Sequence, residues 1–449
     1  MNPLEGITIS RPSLNHPSLQ STRTGLLAPV VRPFLAAALA LTTLAGAAVP
    51  ARPALAEPPI VRVFLDTLPV EFDVPPAVVQ GRTLVPFRAI AEALGAKVEW
   101  DQATQTAIAR QDEVEVRVPL GSRVATRNGE ALTLDVPAQV SDERILMPLR
   151  FFAEAFGCRV SWDQEAYAAV ITSAPRAMEV LGFYALGDAR TPSWPDVFGT
   201  AYPETTTGHT DLLRTLALGW YSLDQQGHLL TSSVTGWQRP EGWEKVLQAA
   251  ARYGLKTEMV VHLTDGRGEL SALLKDEEAM KLAIAAVVAE AAGYGGVNLD
   301  LEGLGYHEQG GELEATRQRL NHFVEPLAAE LAKAGRSLTL TLHPPNSAYP
   351  GYDYATLGRL ANRVVIMAYS YGPKPEPLDL VRQAVELAVA EVPADKLLLG
   401  LSADSETPAS LVVKVGLAKR YGLGGIALWR LGIISDAAWS ALRSTIRPR

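Results

Sequence analysis

Eight consecutive residues, Gly295-Gly296-Val297-Asn298-Leu299-Asp300-Leu301-Glu302, place an amide and two carboxylates at every second position of an apolar run. In an extended strand alternate side chains share a face, so Gly296, Asn298, Asp300 and Glu302 point one way and Val297, Leu299 and Leu301 the other. A carboxylate taken out of water needs a partner, and two held close together lose their protons in separate steps, one above the usual range. A carboxyl that keeps its proton near neutral pH is what a general acid requires. A strand running into a loop whose acids cap the next helix would not explain acids alternating inside the strand.

Such a strand needs a scaffold that opens at Glu302. From Glu179 onward, strand-like apolar runs fall at residues 180–184, 215–220, 257–262, 296–301, 337–342, 363–368, 396–401 and 425–429. Helical patterns at residues 281–292, 316–334, 378–390 and 410–421 alternate with them. This is the signature of βα units and a parallel sheet. Eight units in about 270 residues predict an α/β fold, a (β/α)8 TIM barrel, whose active sites lie at the C-terminal strand ends. Glu302 falls at the end of the fourth run.

Ahead of the barrel the sequence repeats itself at an offset of about sixty residues, which is read before anything else. Leu84-Val85-Pro86-Phe87-Arg88 leads to Val98-Glu99-Trp100-Asp101, and Leu146-Met147-Pro148-Leu149-Arg150 leads to Val160-Ser161-Trp162-Asp163. Each copy holds an amphipathic helix (residues 89–94 and 151–156), a glycine that ends it, and a strand bearing Trp-Asp. The two copies predict a small α+β domain with the tryptophans in its core.

At the N-terminus, Arg23 and Arg32 precede an apolar stretch from Phe34 to Val49, and Ala54-Leu55-Ala56 supplies a small-x-small cleavage site. The apolar stretch is short for a membrane-spanning helix. The expected organisation is an export segment over residues 1–56, the repeat domain over 57–175 and the barrel over 176–449. The 449 residues are 47% hydrophobic and 20% charged, a globular balance. Their net charge of -8 argues against a nucleic-acid partner. Cys158 is the single cysteine, so no intrachain disulfide or cysteine-built metal cluster is possible. Without a His-x-His or His-Glu-x-x-His pattern, neither a dedicated metal site nor bound copper is expected, and no cofactor is called for.

With the octet on the fourth strand, the chain resembles the family 18 glycoside hydrolases, whose signature there is Asp-Gly-x-Asp-x-Asp-x-Glu. Met367-Ala368-Tyr369 after the sixth strand and Gly424-Gly425-Ile426-Ala427-Leu428-Trp429 on the eighth agree with it. The resemblance implies hydrolysis of a glycan containing β-linked N-acetylglucosamine, with Glu302 as the general acid. Asp300 would orient the 2-acetamido group whose oxygen attacks the anomeric carbon, and Tyr369 would donate a hydrogen bond to its carbonyl. This substrate-assisted route departs from the two-carboxylate scheme. Trp429 would floor the sugar site, with Asn298 and Met367 as further substrate-binding candidates. Trp220 and Tyr221, in Gly219-Trp220-Tyr221-Ser222-Leu223-Asp224, either line the groove or pack in the core.

Gly351-Tyr352-Asp353-Tyr354 and the run from Pro393 to Gly400 are similar to spore-germination and cortex-lytic members. That similarity implies a peptidoglycan substrate and a secreted, cell-wall or spore location in a bacterium. Three positions depart from the family pattern: Gly295 and Asn298 stand where the signature has Asp, and Ser370 stands where an acid commonly follows the tyrosine. The repeats resemble the module named after the N-terminal domain of copper amine oxidases, across about residues 60–173. That module carries no copper chemistry and reads as a spacer or a domain that holds cell-wall polymer. A lectin-like wall or coat protein using the barrel only to bind is the alternative, and the presence of Glu302 weighs against it.

Overall fold

The computed structural model describes residues 60–185, 193–232, 236 and 238–448. The export reading lies outside the described residues. No helix among them is long and apolar enough to cross a membrane.

In the repeat region, strands Arg82–Pro86 and Arg144–Pro148 pair antiparallel with Val85 opposite Met147. These two residues hold equivalent places in the two copies, so a pseudo-two-fold axis passes between them. Each strand runs through a proline into a short helix, Phe87–Ala93 or Leu149–Ala155. Each helix is followed by a left-handed glycine, Gly95 or Gly157, with φ of 79° and 77°. An L side chain resists that conformation, so glycine ends the helix there. Phe87 meets Phe152 edge-on at 5.4 Å inside a core that also holds Val85, Ile90, Met147 and Ala153. Contrary to expectation, the repeated tryptophans lie outside this core: Trp100 is 38% exposed and Trp162 39%. Each sits on an edge strand of its sheet, Lys97–Asp101 or Arg159–Asp163, where one flank has no neighbouring strand to cover it.

The second part is the predicted barrel. Its strands are β1 (Glu179–Ala185), β2 (Thr215–Leu223), β3 (Lys256–Thr264), β4 (Gly296–Glu302), β5 (Ser337–Leu342), β6 (Arg363–Ile366), β7 (Leu397–Ser402) and β8 (Gly425–Trp429). All eight are parallel neighbours in chain order, and β1 closes the ring by pairing with both β8 and β2. The alternation expected for β4 holds. Val297, Leu299 and Leu301 pack outward with Leu320, Phe323 and Leu327 of helix Gly310–Lys333. Burying each such side chain stabilises the fold by about 1.5–3 kcal/mol. Gly296 faces inward at a point where a Cβ would stand 2.1 Å from Ser337 Oγ, so no larger residue fits.

The barrel interior is layered. At its N-terminal end Arg363 lies between two carboxylates, 3.1 Å from Glu179 and in close contact with Glu258. Thr215 donates to Glu179 at 2.6 Å and Thr339 to Glu258 at 2.7 Å. Above them Leu181, Ala217, Val260, Val365, Leu398 and Ala427 form an apolar plug. The acidic end of β4 lies above that.

A seam joins the repeat region to helix Pro408–Arg420 of the barrel. Leu68 is 4% exposed and belongs to the barrel's core. Asp66 accepts hydrogen bonds from the Ser173 amide at 2.8 Å and its hydroxyl at 2.6 Å, while Lys419 donates to Ser173 and to the Ala174 carbonyl.

Candidate active site

Pairing in the barrel sets His262 of β3, Asp300 of β4 and Thr341 of β5 side by side. One step toward the C-terminal rim stands Glu302, its side chain 30% exposed. The two acids therefore occupy different surroundings although they share a face. Asp300 is 3% exposed, and its Oδ1 has no hydrogen-bond partner among the described residues. Burial, reinforced by the charge of Glu302, holds its carboxyl well above the usual carboxylate range. Glu302 behaves oppositely. Burial pushes it up, but the hydrogen bond and charge of His262 and the charge of His343 outweigh that and leave it below the usual range. Its Oε1 is 3.4 Å from His262 Nε2 and its Oε2 3.6 Å from His343 Nε2.

Burial lowers the pKa of His343 despite the nearby Glu302, so His343 supplies its charge mainly at low pH. The hydrogen bond from His262 is the largest of the effects that lower Glu302. Two carboxyls this close titrate as a pair rather than singly. Of the two, Asp300 has the surroundings that favour the protonated form.

Tyr369 follows β6, and burial first, then the charges of Asp300 and Glu302, keeps its hydroxyl protonated far above neutral pH. It is a hydrogen-bond donor facing both acids. Its ring passes Gly400 of β7, where a Cβ would come within 3.1 Å of Cε1. The backbone beyond it is fixed by Glu376, whose carboxylate accepts from the amides of Ser370 and Tyr371, each at 3.0 Å. The carboxylate missing at position 370 thus enters the loop from six residues downstream. Trp429, partly exposed at the end of β8, packs edge-on against Phe183 at 5.4 Å and caps the apolar plug.

Other expected site residues are placed elsewhere. Asn298 is fully buried; its amide donates to Glu258 at 3.4 Å and its carbonyl accepts from Thr341 at 2.8 Å. It sits beneath Asp300 and has no free surface for a glycan. Trp220 and Tyr221 are also fully buried and belong to the layer between strands and helices. Trp220 shares the outward face of Leu216 and Leu218, and an irregularity in the β2–β3 pairing between Leu218 and Tyr221 turns Tyr221 to that side too. There the Tyr221 hydroxyl bonds Glu290 at 2.6 Å and Tyr294 at 2.7 Å. Met367 is 5% exposed and offers little contact area.

Sequence reasoning passed over His262, His343, Glu258, Arg363 and Glu376. His262 and Glu258 carry the same signal as the octet, polar residues spaced by an even number within an apolar strand. Residues 351–354 proved to be a clamp. The Tyr352 hydroxyl donates to the Leu301 carbonyl at 2.8 Å, and the Tyr354 hydroxyl donates to the His343 carbonyl at 2.9 Å. Outward from Glu302 a row of rings continues over the rim: His343 stacks on Tyr349 at 4.3 Å, and Tyr349 meets Tyr306 at 5.4 Å. His262, Asp300 and Glu302 each offer a ligand atom within 4.8 Å of the others, a set that could hold a divalent cation. A cation there would occupy the oxygens that an acid catalyst needs.

The fold and its mouth define a parallel eight-stranded barrel with a paired-acid site at the C-terminal ends of its strands. Residues 64–171 match the copper amine oxidase N-terminal domain family. The chain is similar to two proteins of Bacillus subtilis (strain 168). YdhD, named as a sporulation-specific glycosylase, is 30% identical over 119 residues, 24% of this chain and 26% of that protein. The cortical fragment-lytic enzyme is 28% identical over 142 residues, 28% of this chain and 31% of that protein. This chain therefore spans less than a third of the length of either relative. Among solved structures, the spore cortex-lytic enzyme SleL of Bacillus megaterium superimposes with a TM-score of 0.50 at 17% identity, covering 70% of this chain and 80% of that one. At that identity the likeness establishes the barrel fold.

Proposed function

We propose that the protein is a glycoside hydrolase that cleaves a β-linked, N-acetylglucosamine-containing polysaccharide, peptidoglycan or chitin-like, with retention of configuration. The observation that carries the reading is the acid pair on β4: Glu302 at the open rim and Asp300 buried beneath it. Incoming glycan covers Glu302 and presents an amide N–H to Asp300. Hydrogen bonding to an ionised carboxylate favours that form, while loss of water disfavours it at Glu302, so the proton passes to Glu302. Glu302 gives it to the glycosidic oxygen as that bond breaks, and the acetamido oxygen bonds to the anomeric carbon from the opposite face. Tyr369 donates to that acetamido group. Water bonds to the anomeric carbon as the acetamido oxygen leaves it, Glu302 takes that water's proton, and the proton returns to Asp300 when the product departs. Trp429 offers the sugar an apolar face, and the rings of His343, Tyr349 and Tyr306 extend that platform.

The names of the relatives, a sporulation-specific glycosylase and cortical and cortex-lytic enzymes, favour a cell-wall or spore-cortex glycan. They also favour a wall- or spore-associated location. The test is Glu302→Gln, which keeps size and hydrogen bonding but removes the transferable proton. Release of reducing ends from peptidoglycan and from N-acetylglucosamine oligosaccharides should fall by about 10²–10⁴-fold. Turnover at the wild-type rate would overturn the assignment.

A further inference from the structure

The exposed tryptophans of the repeat domain stand in two equivalent grooves. One, of about 830 Å³, is lined by Trp100, Arg88 and Glu92 of the first copy together with Asp73 and Arg144. The other, of about 580 Å³, is lined by Trp162, Arg150 and Glu154 of the second copy together with Asp135 and Arg82. These five wall residues correspond pairwise at one offset, taken forward for four and backward for Arg144 and Arg82, as the pseudo-two-fold axis requires. The closing ion pairs are crossed: Arg144 joins Asp73 at 2.5 Å and Arg82 joins Asp135 at 2.6 Å, so each groove is completed by the other copy. Each indole is held by a local hydrogen bond, Trp100 Nε1 to Gln102 at 2.8 Å and Trp162 Nε1 to Gln164 at 3.1 Å. With its N–H engaged, the ring offers a fixed apolar face. Arg88 and Arg150 are exposed and form no ion pair with any described residue, as do Glu92 and Glu154.

A half-exposed large aromatic has one apolar face to cover, and a pre-oriented ring does so at little entropic cost. A free guanidinium and a free carboxylate beside it supply a donor fork and an acceptor. The pyranose ring matches this set, with an axial C–H face for the indole and equatorial hydroxyl and acetamido groups at its edge. Two copies of one groove suit a ligand that itself repeats.

We propose that the repeat domain is a bivalent carbohydrate-binding module, each groove taking a stretch of β-linked N-acetylated glycan against Trp100 or Trp162. The choice of sugar rests on the function proposed for the barrel; the grooves do not. The test uses the full chain in a Glu302→Gln background, with retention measured on insoluble chitin and on purified peptidoglycan. Trp100→Ala and Trp162→Ala should each weaken retention by about 10²-fold or more, because linked sites gain about 10²–10⁴ over either alone, and the two together should abolish it. The double Trp→Tyr variant keeps a flat ring on each groove and should retain most binding, which separates loss of stacking from damage to the fold. With Glu302 intact, the double alanine variant should cleave a short soluble N-acetylglucosamine oligosaccharide at unchanged kcat/KM. Retention that ignores both tryptophans overturns the proposal even if hydrolysis is normal. Tryptophan-dependent retention without hydrolysis in any variant supports it and removes the catalytic reading instead.

Discussion

Replacing Asp300 by asparagine should stabilise the fold while stopping the reaction, and the gain should grow with pH. Asp300 is 3% exposed and one of its oxygens lacks a partner among the described residues. Burial and the adjacent Glu302 hold its carboxyl well above the usual range. A group whose folded pKa exceeds its unfolded value, about 3.9 for Asp, binds more protons folded than unfolded. Its contribution to stability is therefore complete below about pH 4 and is lost as pH rises toward the folded value. Asparagine carries no charge at any pH and loses nothing over that range. The gain is therefore near zero at about pH 4 and grows by about 1.4 kcal/mol per pH unit until the folded-state pKa is reached. Urea unfolding across that range, with unchanged m-values, measures it. Glu302 supplies the opposite sign. Its carboxyl is held below the usual range, so its contribution is present above the unfolded pKa and lost as pH falls. Glu302→Gln should consequently lower stability near neutrality. A difference between wild type and Asp300→Asn that stays flat with pH, or that favours the wild type at high pH, would refute the burial argument.

Removing the guanidinium at the base of the barrel in Arg363→Met leaves Glu179 and Glu258 unpaired, and equilibrium unfolding should show a loss of about 3–5 kcal/mol. A truncated protein beginning at Arg176 should fold with a lower Tm, because it lacks Leu68 and leaves Lys419 without Asp66. Its kcat on soluble oligosaccharides should match the full chain, and an inactive barrel would show that the repeats complete the groove. EDTA should leave hydrolysis unchanged, whereas micromolar zinc should inhibit it by binding His262, Asp300 and Glu302; His262→Gln should relieve that inhibition in a steady-state assay.

The barrel was legible because its strands alternate against a continuous apolar layer, and each of the eight runs read from sequence lies on or overlaps an observed strand. The acid pair was legible for the same reason, since Asp300 and Glu302 break the apolar pattern of β4 at even spacing. His262 breaks β3 in the same way, but a lone histidine reads as a core residue until pairing sets it beside Asp300. His343 and Glu376 lie in loops, where no periodicity marks direction. That one carboxyl of the pair would be raised was legible from their spacing; that it is Asp300 was not, because the two histidines that lower Glu302 come from other strands and loops. A large aromatic in a strand is more often structural than functional, which reads Trp100 into the core; only the sheet order shows that its strand has an open edge.

The seam at Leu68, Asp66 and Lys419 bears on how the molecule would work along a polymer. Catalytic and anchoring parts joined by a flexible linker search a volume set by linker length, and the chance of meeting is an effective concentration. Here the join is a packed leucine with hydrogen bonds from Lys419 to Ser173 at 3.0 Å and to the Ala174 carbonyl at 3.1 Å, and from Arg420 to the Pro69 carbonyl at 2.5 Å. A strand held on the repeat domain as proposed would therefore reach the barrel across a packed joint rather than a flexible one. With both proposed activities the joint would act as a gauge, and the pattern of fragment lengths would be written by its geometry rather than by diffusion.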